Sequence, residues 1–118
     1  MTELIACLSS GKGTWAHVAK VIEGYPWERV FLVGDKFARE KFQVRPNTEF
    51  IEVDFSRFLT ELIADVKSKL EGRIKGLEVG VNLISGEGKE HMAILAALLK
   101  LGIGVRFVAL TPKGVQEI

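Results

Sequence analysis

Short apolar runs alternate with stretches of helical period along the whole chain, and glycine marks most of the junctions. The runs are residues 4–8 (LIACL), 29–33 (RVFLV), 49–54 (EFIEVD), 78–84 (EVGVNLI) and 103–110 (IGVRFVAL). Apolar runs of this length suit strands covered on both faces. Between them, Trp15, Val18, Ala19 and Ile22 lie at helical spacing, with Thr14 or Ser10 as the cap and Gly24 as the stop. Phe58, Leu59, Leu62, Ile63, Val66 and Leu70 repeat that period more clearly, behind Ser56. Two further helices are predicted near 36–42 and over 89–100. Such alternation builds a parallel sheet with right-handed crossovers and helices on both faces. The expected fold is therefore α/β: a Rossmann-like three-layer sandwich on a five-stranded, mainly parallel sheet, in the order 3-2-1-4-5. The charges in the third run mark a sheet edge. Thr111-Pro112-Lys113-Gly114 reads as a turn, and the last residues as a tail.

A chain of 118 residues suits a single domain over 1–118. Lys and Arg total 16 against 15 Asp and Glu, so no global basic excess points to duplex nucleic acid. Cys7 is the only cysteine and sits inside an apolar run, which excludes an intramolecular disulfide and suggests a buried, inert thiol. No apolar run is long enough to span a membrane, and no leader pattern opens the chain, so a cytoplasmic protein is expected. Neither a metal nor another cofactor is implied.

Two turns echo each other. Ser9-Ser10-Gly11-Lys12-Gly13-Thr14 follows the first strand, and Ser85-Gly86-Glu87-Gly88-Lys89 follows the fourth. In an open parallel sheet, ligands bind outside the carboxyl ends of the strands, where the strand order reverses. With the order 3-2-1-4-5 that point lies between strands 1 and 4, so both turns face it. Glycine allows close backbone approach, two helix N-termini present free N–H groups, and Lys12 and Lys89 bring positive charge. The combination describes an anion pocket suited to phosphate. One such turn alone is ordinary strand–helix punctuation; the matched pair at the reversal is what points to a site. Neither the GxxxxGKS/T nor the GxGxxG pattern is present, so an ordinary P-loop NTPase is not expected.

Other residues have blander readings beside their functional ones. Asn82 lies in an apolar strand and needs partners: it supports the first turn or touches ligand. His91 is a candidate general acid or base beside the crevice, although His91 and His17 share no metal-ligand spacing. Trp15 reads as core, with base stacking as the alternative. Asp35 reads as a helix cap rather than a ribose ligand. Residues 92–101 (MAILAALLKL) form a helix apolar nearly all round, which predicts a symmetric dimer.

Residues 81–110 resemble the CRISPR-associated Rossmann-fold (CARF) family, in which a strand ending in Asn-x-Thr/Ser-Gly-Gly-Thr-Lys leads into an Ala/Leu-rich helix, a Gly-marked turn and a last apolar strand. Asn82, Ser85, Gly86 and Lys89 match that motif. Glu87 stands where a second glycine is usual, Gly88 where threonine is usual, and two residues rather than one separate Asn82 from Ser85. A carboxylate facing phosphate would repel it, so Glu87 must point away or take part in chemistry. The resemblance implies a homodimer that binds a cyclic oligoadenylate across its two-fold axis, in CRISPR-linked antiviral signalling. It also implies two alternatives, a metal-independent ring nuclease or a remnant with another ligand; the apolar fourth helix separately suggests an accessory subunit that docks a partner through it. For the nuclease, Ser10 would position the attacking hydroxyl and Lys89, or else Lys12, would stabilise charge.

Overall fold

The computed structural model describes residues 2–9 and 11–118; Met1, Ser10 and the side chain of Lys12 lie outside the described part. The chain runs through β1 (Glu3–Leu8), a 3-10 turn (Lys12–Thr14), α1 (Trp15–Glu23), β2 (Arg29–Gly34) and α2 (Lys36–Lys41). It continues through β3 (Thr48–Glu52), α3 (Leu59–Leu70), β4 (Glu78–Asn82), α4 (Gly88–Lys100), β5 (Gly104–Thr111) and β6 (Gly114–Glu117). All the strands join one mixed sheet in the order β3-β2-β1-β4-β5-β6. The first five run parallel, as the alternating pattern requires, and β3 is an edge.

The sixth strand corrects the five-strand expectation. Gly114, read from the sequence as the end of a turn, and residues 115–117, read as a tail, fold back antiparallel onto β5. The reversal uses only Pro112 and Lys113, between the paired Thr111 and Gly114. Gly114 takes φ 101°, a conformation that a side chain disfavours. The Thr111 hydroxyl donates to Gly114 O and accepts from Lys113 N. Pro-Lys is not among the turn pairs that announce a hairpin, and four residues are too few to show alternation.

Each helix packs one side onto the sheet. In β1 every residue is buried, and successive side chains point to opposite faces. Ile5 and Cys7 join Phe31, Val33, Val79 and Val81 beneath α3 and α4. Leu4, Ala6 and Leu8 join Val30 and Leu32 beneath α1 and α2. Each fully buried Leu, Ile or Val contributes about 1.5–3 kcal/mol relative to exposure, so these two layers are what fix the turns that leave the strands.

Charged and polar groups set the ends. Glu3 is only 2% exposed, and its carboxylate accepts hydrogen bonds from Lys75 N and Gly76 N. That closes the loop after α3 at the sheet end opposite the candidate site. α3 starts at Leu59 rather than Ser56, because Ser56 instead bonds Asp54 Oδ1 through both its N–H and its hydroxyl. Phe58 keeps the helical period but is 79% exposed. α4 ends in a Schellman motif: Ile103 N donates to Leu98 O and Gly102 N to Leu99 O, with Gly102 at φ 73°. Its buried face is Ala93, Ile94, Ala97 and Leu98, while Met92 and Leu99 face out. Among the described residues no helix is long and apolar enough to cross a membrane.

Candidate functional site at the reversal of strand order

β1 and β4 lie side by side, with Ala6 opposite Asn82, so the turns that follow them leave the sheet together. They are joined directly. The buried Ser85 hydroxyl accepts a hydrogen bond from Ser9 N at 3.1 Å. Ser9 O in turn accepts from the Trp15 indole N–H at 2.7 Å. On the other side, His91 Nε2 lies 2.7 Å from Ser85 O. A carbonyl can only accept, so Nε2 carries the proton and donates. The line His91–Ser85–Ser9–Trp15 therefore ties α4, both turns and α1 into one unit. Each link is a buried or half-buried hydrogen bond, worth about 1 kcal/mol net and more if one partner is removed.

The two turns enclose a crevice of about 350 Å³ lined by Ser9, Gly11, Thr14, Ile84, Gly86 and Glu87. Thr14 stands at the start of α1, and its side chain makes no capping hydrogen bond. A Cβ placed on Gly11, Gly13 or Gly88 would meet nothing within 4 Å, so these backbones front open space. Gly86 is the opposite case. Its φ is 103°, and an added Cβ would lie 2.7 Å from Glu90 Oε1, 2.8 Å from Cys7 Sγ and 3.0 Å from His91 Nε2.

Glu87 resolves the conflict noted in its sequence. It is the N-cap of α4 and forms a reciprocal capping box with Glu90, whose Oε1 accepts from Glu87 N at 2.9 Å. Two carboxylates thus already meet the positive end of α4. Lys89 donates from Nζ to Phe55 O at 2.9 Å, in the loop after β3, and does not line the crevice. Ser10, the other residue considered for catalysis, lies outside the described residues, as does the side chain of Lys12. Cys7 lies under Gly86 with no exposure; burial first, then the nearby Glu90 and Asp35 charges, hold its thiol far above the usual range. It is a packing residue, not a nucleophile.

Asn82 serves a different neighbour from the turn. β4 pairs with β5 only as far as Val81 opposite Phe107. Beyond that point β5 runs on, and its backbone groups on that edge have no strand to meet. Asn82, 2% exposed, donates from Nδ2 to Val108 O at 2.9 Å. His17 Nε2 accepts from Leu110 N at 3.3 Å and lies 3.4 Å from Asn82 Nδ2. The two side chains stand in for the missing strand. Sequence reading missed this role for His17, because it depends on how far β5 outruns β4. Trp15 is buried, in edge contact with Phe42 at 5.9 Å between ring centroids. Asp35 caps α2 by accepting from Ala38 N.

A larger cavity, about 440 Å³, lies at the ends of β2 and β3 and includes Asp35, Glu52, Asp54, Asp65 and Lys69. Several of its charges are matched within the protein: Lys69 pairs with Asp65, and Glu52 with Arg39. The smaller crevice, with glycine backbone facing open space, is the better candidate. Among the described residues no three His, Cys, Asp or Glu side chains gather as metal ligands.

These features define a class: an α/β domain whose one mixed sheet carries two linked Gly-rich turns at the reversal of strand order. No family model and no curated protein matches the chain.

Proposed function

We propose that the protein is a Rossmann-like, homodimeric binding module for a phosphate-rich nucleotide, with a cyclic oligoadenylate as the ligand class. The observation that carries this reading is the Ser9 N to Ser85 Oγ bond, which makes the two turns one wall of a crevice at the place where parallel sheets bind ligands. Open backbone at Gly11 and Gly13 and the Thr14 hydroxyl offer the contacts a phosphate needs. Lys12, between those glycines, supplies the cation. The CARF-like motif of residues 81–110 adds the ligand class.

Binding is favoured over ring cleavage. Lys89, the residue considered for stabilising charge in cleavage, is directed to Phe55 O rather than to the crevice. Dimerisation rests on the outer ridge of α4, where Met92 and Leu99 expose 57% and 71% of their surface.

A thermal-shift screen with cyclic tetra- and hexa-adenylate, mononucleotides and dinucleotides tests the reading. A ligand present at about 100 times its Kd stabilises the folded state by ~2.7 kcal/mol, which raises Tm by on the order of 10 °C for a domain of this size. The cyclic adenylates are expected to give the largest rise. No rise with any of these compounds would contradict the proposal.

A further inference from the structure

The gap beyond the end of β4 holds a second, smaller cavity. Its volume is about 230 Å³, with Ile84, Phe107, Ala109 and Ile118 as walls and His17 and Asn82 among its polar lining. Ile84 lines this cavity and the crevice alike, so the two spaces adjoin. Three of the large apolar side chains that the protein leaves in water, Ile84 at 47%, Phe107 at 42% and Ile118 at 75%, stand around this one space. Apolar walls with a few converging polar groups are the usual make-up of a small-ligand pocket.

The polar groups have a definite sense. His17 Nε2 faces two N–H donors, Leu110 N and Asn82 Nδ2. It must therefore be the bare nitrogen, and the ring proton sits on Nδ1. No described residue accepts from Nδ1, and among the described residues no buried side-chain nitrogen or oxygen lacks a partner. Nδ1–H is thus a donor open to solvent. Asn82, held by Val108 O, fixes that tautomer from behind.

We propose that this cavity binds the purine base of the nucleotide whose phosphate occupies the crevice. The ring lies between the Ile84 and Phe107 side chains, and one of its acceptor nitrogens accepts a hydrogen bond from His17 Nδ1–H. Purines carry such an acceptor on an exposed edge, N7, and aromatic stacking on Phe107 supplies the apolar contact. The inference rests on the crevice being the phosphate site.

Backbone amide NMR with two probes, AMP and ribose 5-phosphate, separates the two ideas. Both probes are expected to shift the amides of residues 9–14 and 85–88. Only AMP should also shift those of residues 107–109 and the ring nitrogens of His17. If AMP moves the turns and leaves residues 107–109 and His17 still, the base pocket is overturned while the phosphate reading stands. If neither probe moves any of these signals, the phosphate reading fails and the base pocket with it. An Ala109→Phe variant, which fills the cavity and spares the turns, should weaken AMP at least tenfold and leave ribose 5-phosphate unchanged. Equal AMP affinity in that variant would overturn the base pocket.

Discussion

Gly86→Ala is expected to destabilise the protein by about 2–4 kcal/mol and to abolish the proposed nucleotide binding in the molecules that still fold. Two costs combine. At φ 103° an alanine is strained wherever it stands, and here its methyl would lie within 3.0 Å of Glu90, Cys7 and His91 atoms. Cys7 belongs to the central strand, and Glu90 is held by the capping box, so neither retreats easily. His91 is the one that can give way, and its movement would release Ser85 O and loosen the turn that carries the Ser9 contact. Urea unfolding reads the first effect as a midpoint lowered by roughly 1–3 M. An unfolding free energy within about 0.5 kcal/mol of wild type would mean that the turn is far more pliant than its packing suggests.

Asn82→Asp should cost about as much, but with a distinctive dependence on pH. The substitution keeps the shape and removes the amide donor that Val108 O requires. It leaves a carboxyl at a position only 2% exposed, facing a carbonyl oxygen. An ionised group there is desolvated and repelled, so its pKa in the folded state rises above the unfolded value. Once protonated, the same carboxyl can donate to Val108 O. The sign follows from linkage: the stabilisation is complete below the unfolded pKa of about 4 and is lost as pH rises through the higher folded value. The variant is therefore expected to lie about 2–4 kcal/mol below wild type at neutral pH and to recover part of that difference towards pH 4. A gap between variant and wild type that is the same at both pH values would refute the assignment of Asn82 as the strand's substitute partner.

The parallel part of the fold was legible because each strand is a short, continuous apolar run and each helix carries its own period. Burial of β1 on both faces could be read directly from Leu4-Ile5-Ala6-Cys7-Leu8. The hairpin to β6 was not legible, since Pro112-Lys113 carries no hairpin signal and its strand is four residues long. Sequence reading brought the two turns together correctly, because their meeting depends only on strand order. It had no means of showing that the link is a hydroxyl on Ser85 and a backbone N–H on Ser9. Lys89 shows the limit most clearly. Its place in the motif suggests the crevice, yet the helix start turns its ammonium to Phe55 O. Glu87 seemed out of place as a ligand wall and makes sense as a cap, a role the Glu87–Glu90 spacing could have announced. The partnership of His17 with Leu110 N depends on strands of unequal length, which no local pattern encodes.

Calorimetric titration of cyclic tetra-adenylate into the wild-type protein tests the central claim most directly. The account predicts saturable binding of one ring per two chains, weakening as salt is raised because charge on the phosphates is being matched. The absence of saturable binding at any salt concentration would contradict it.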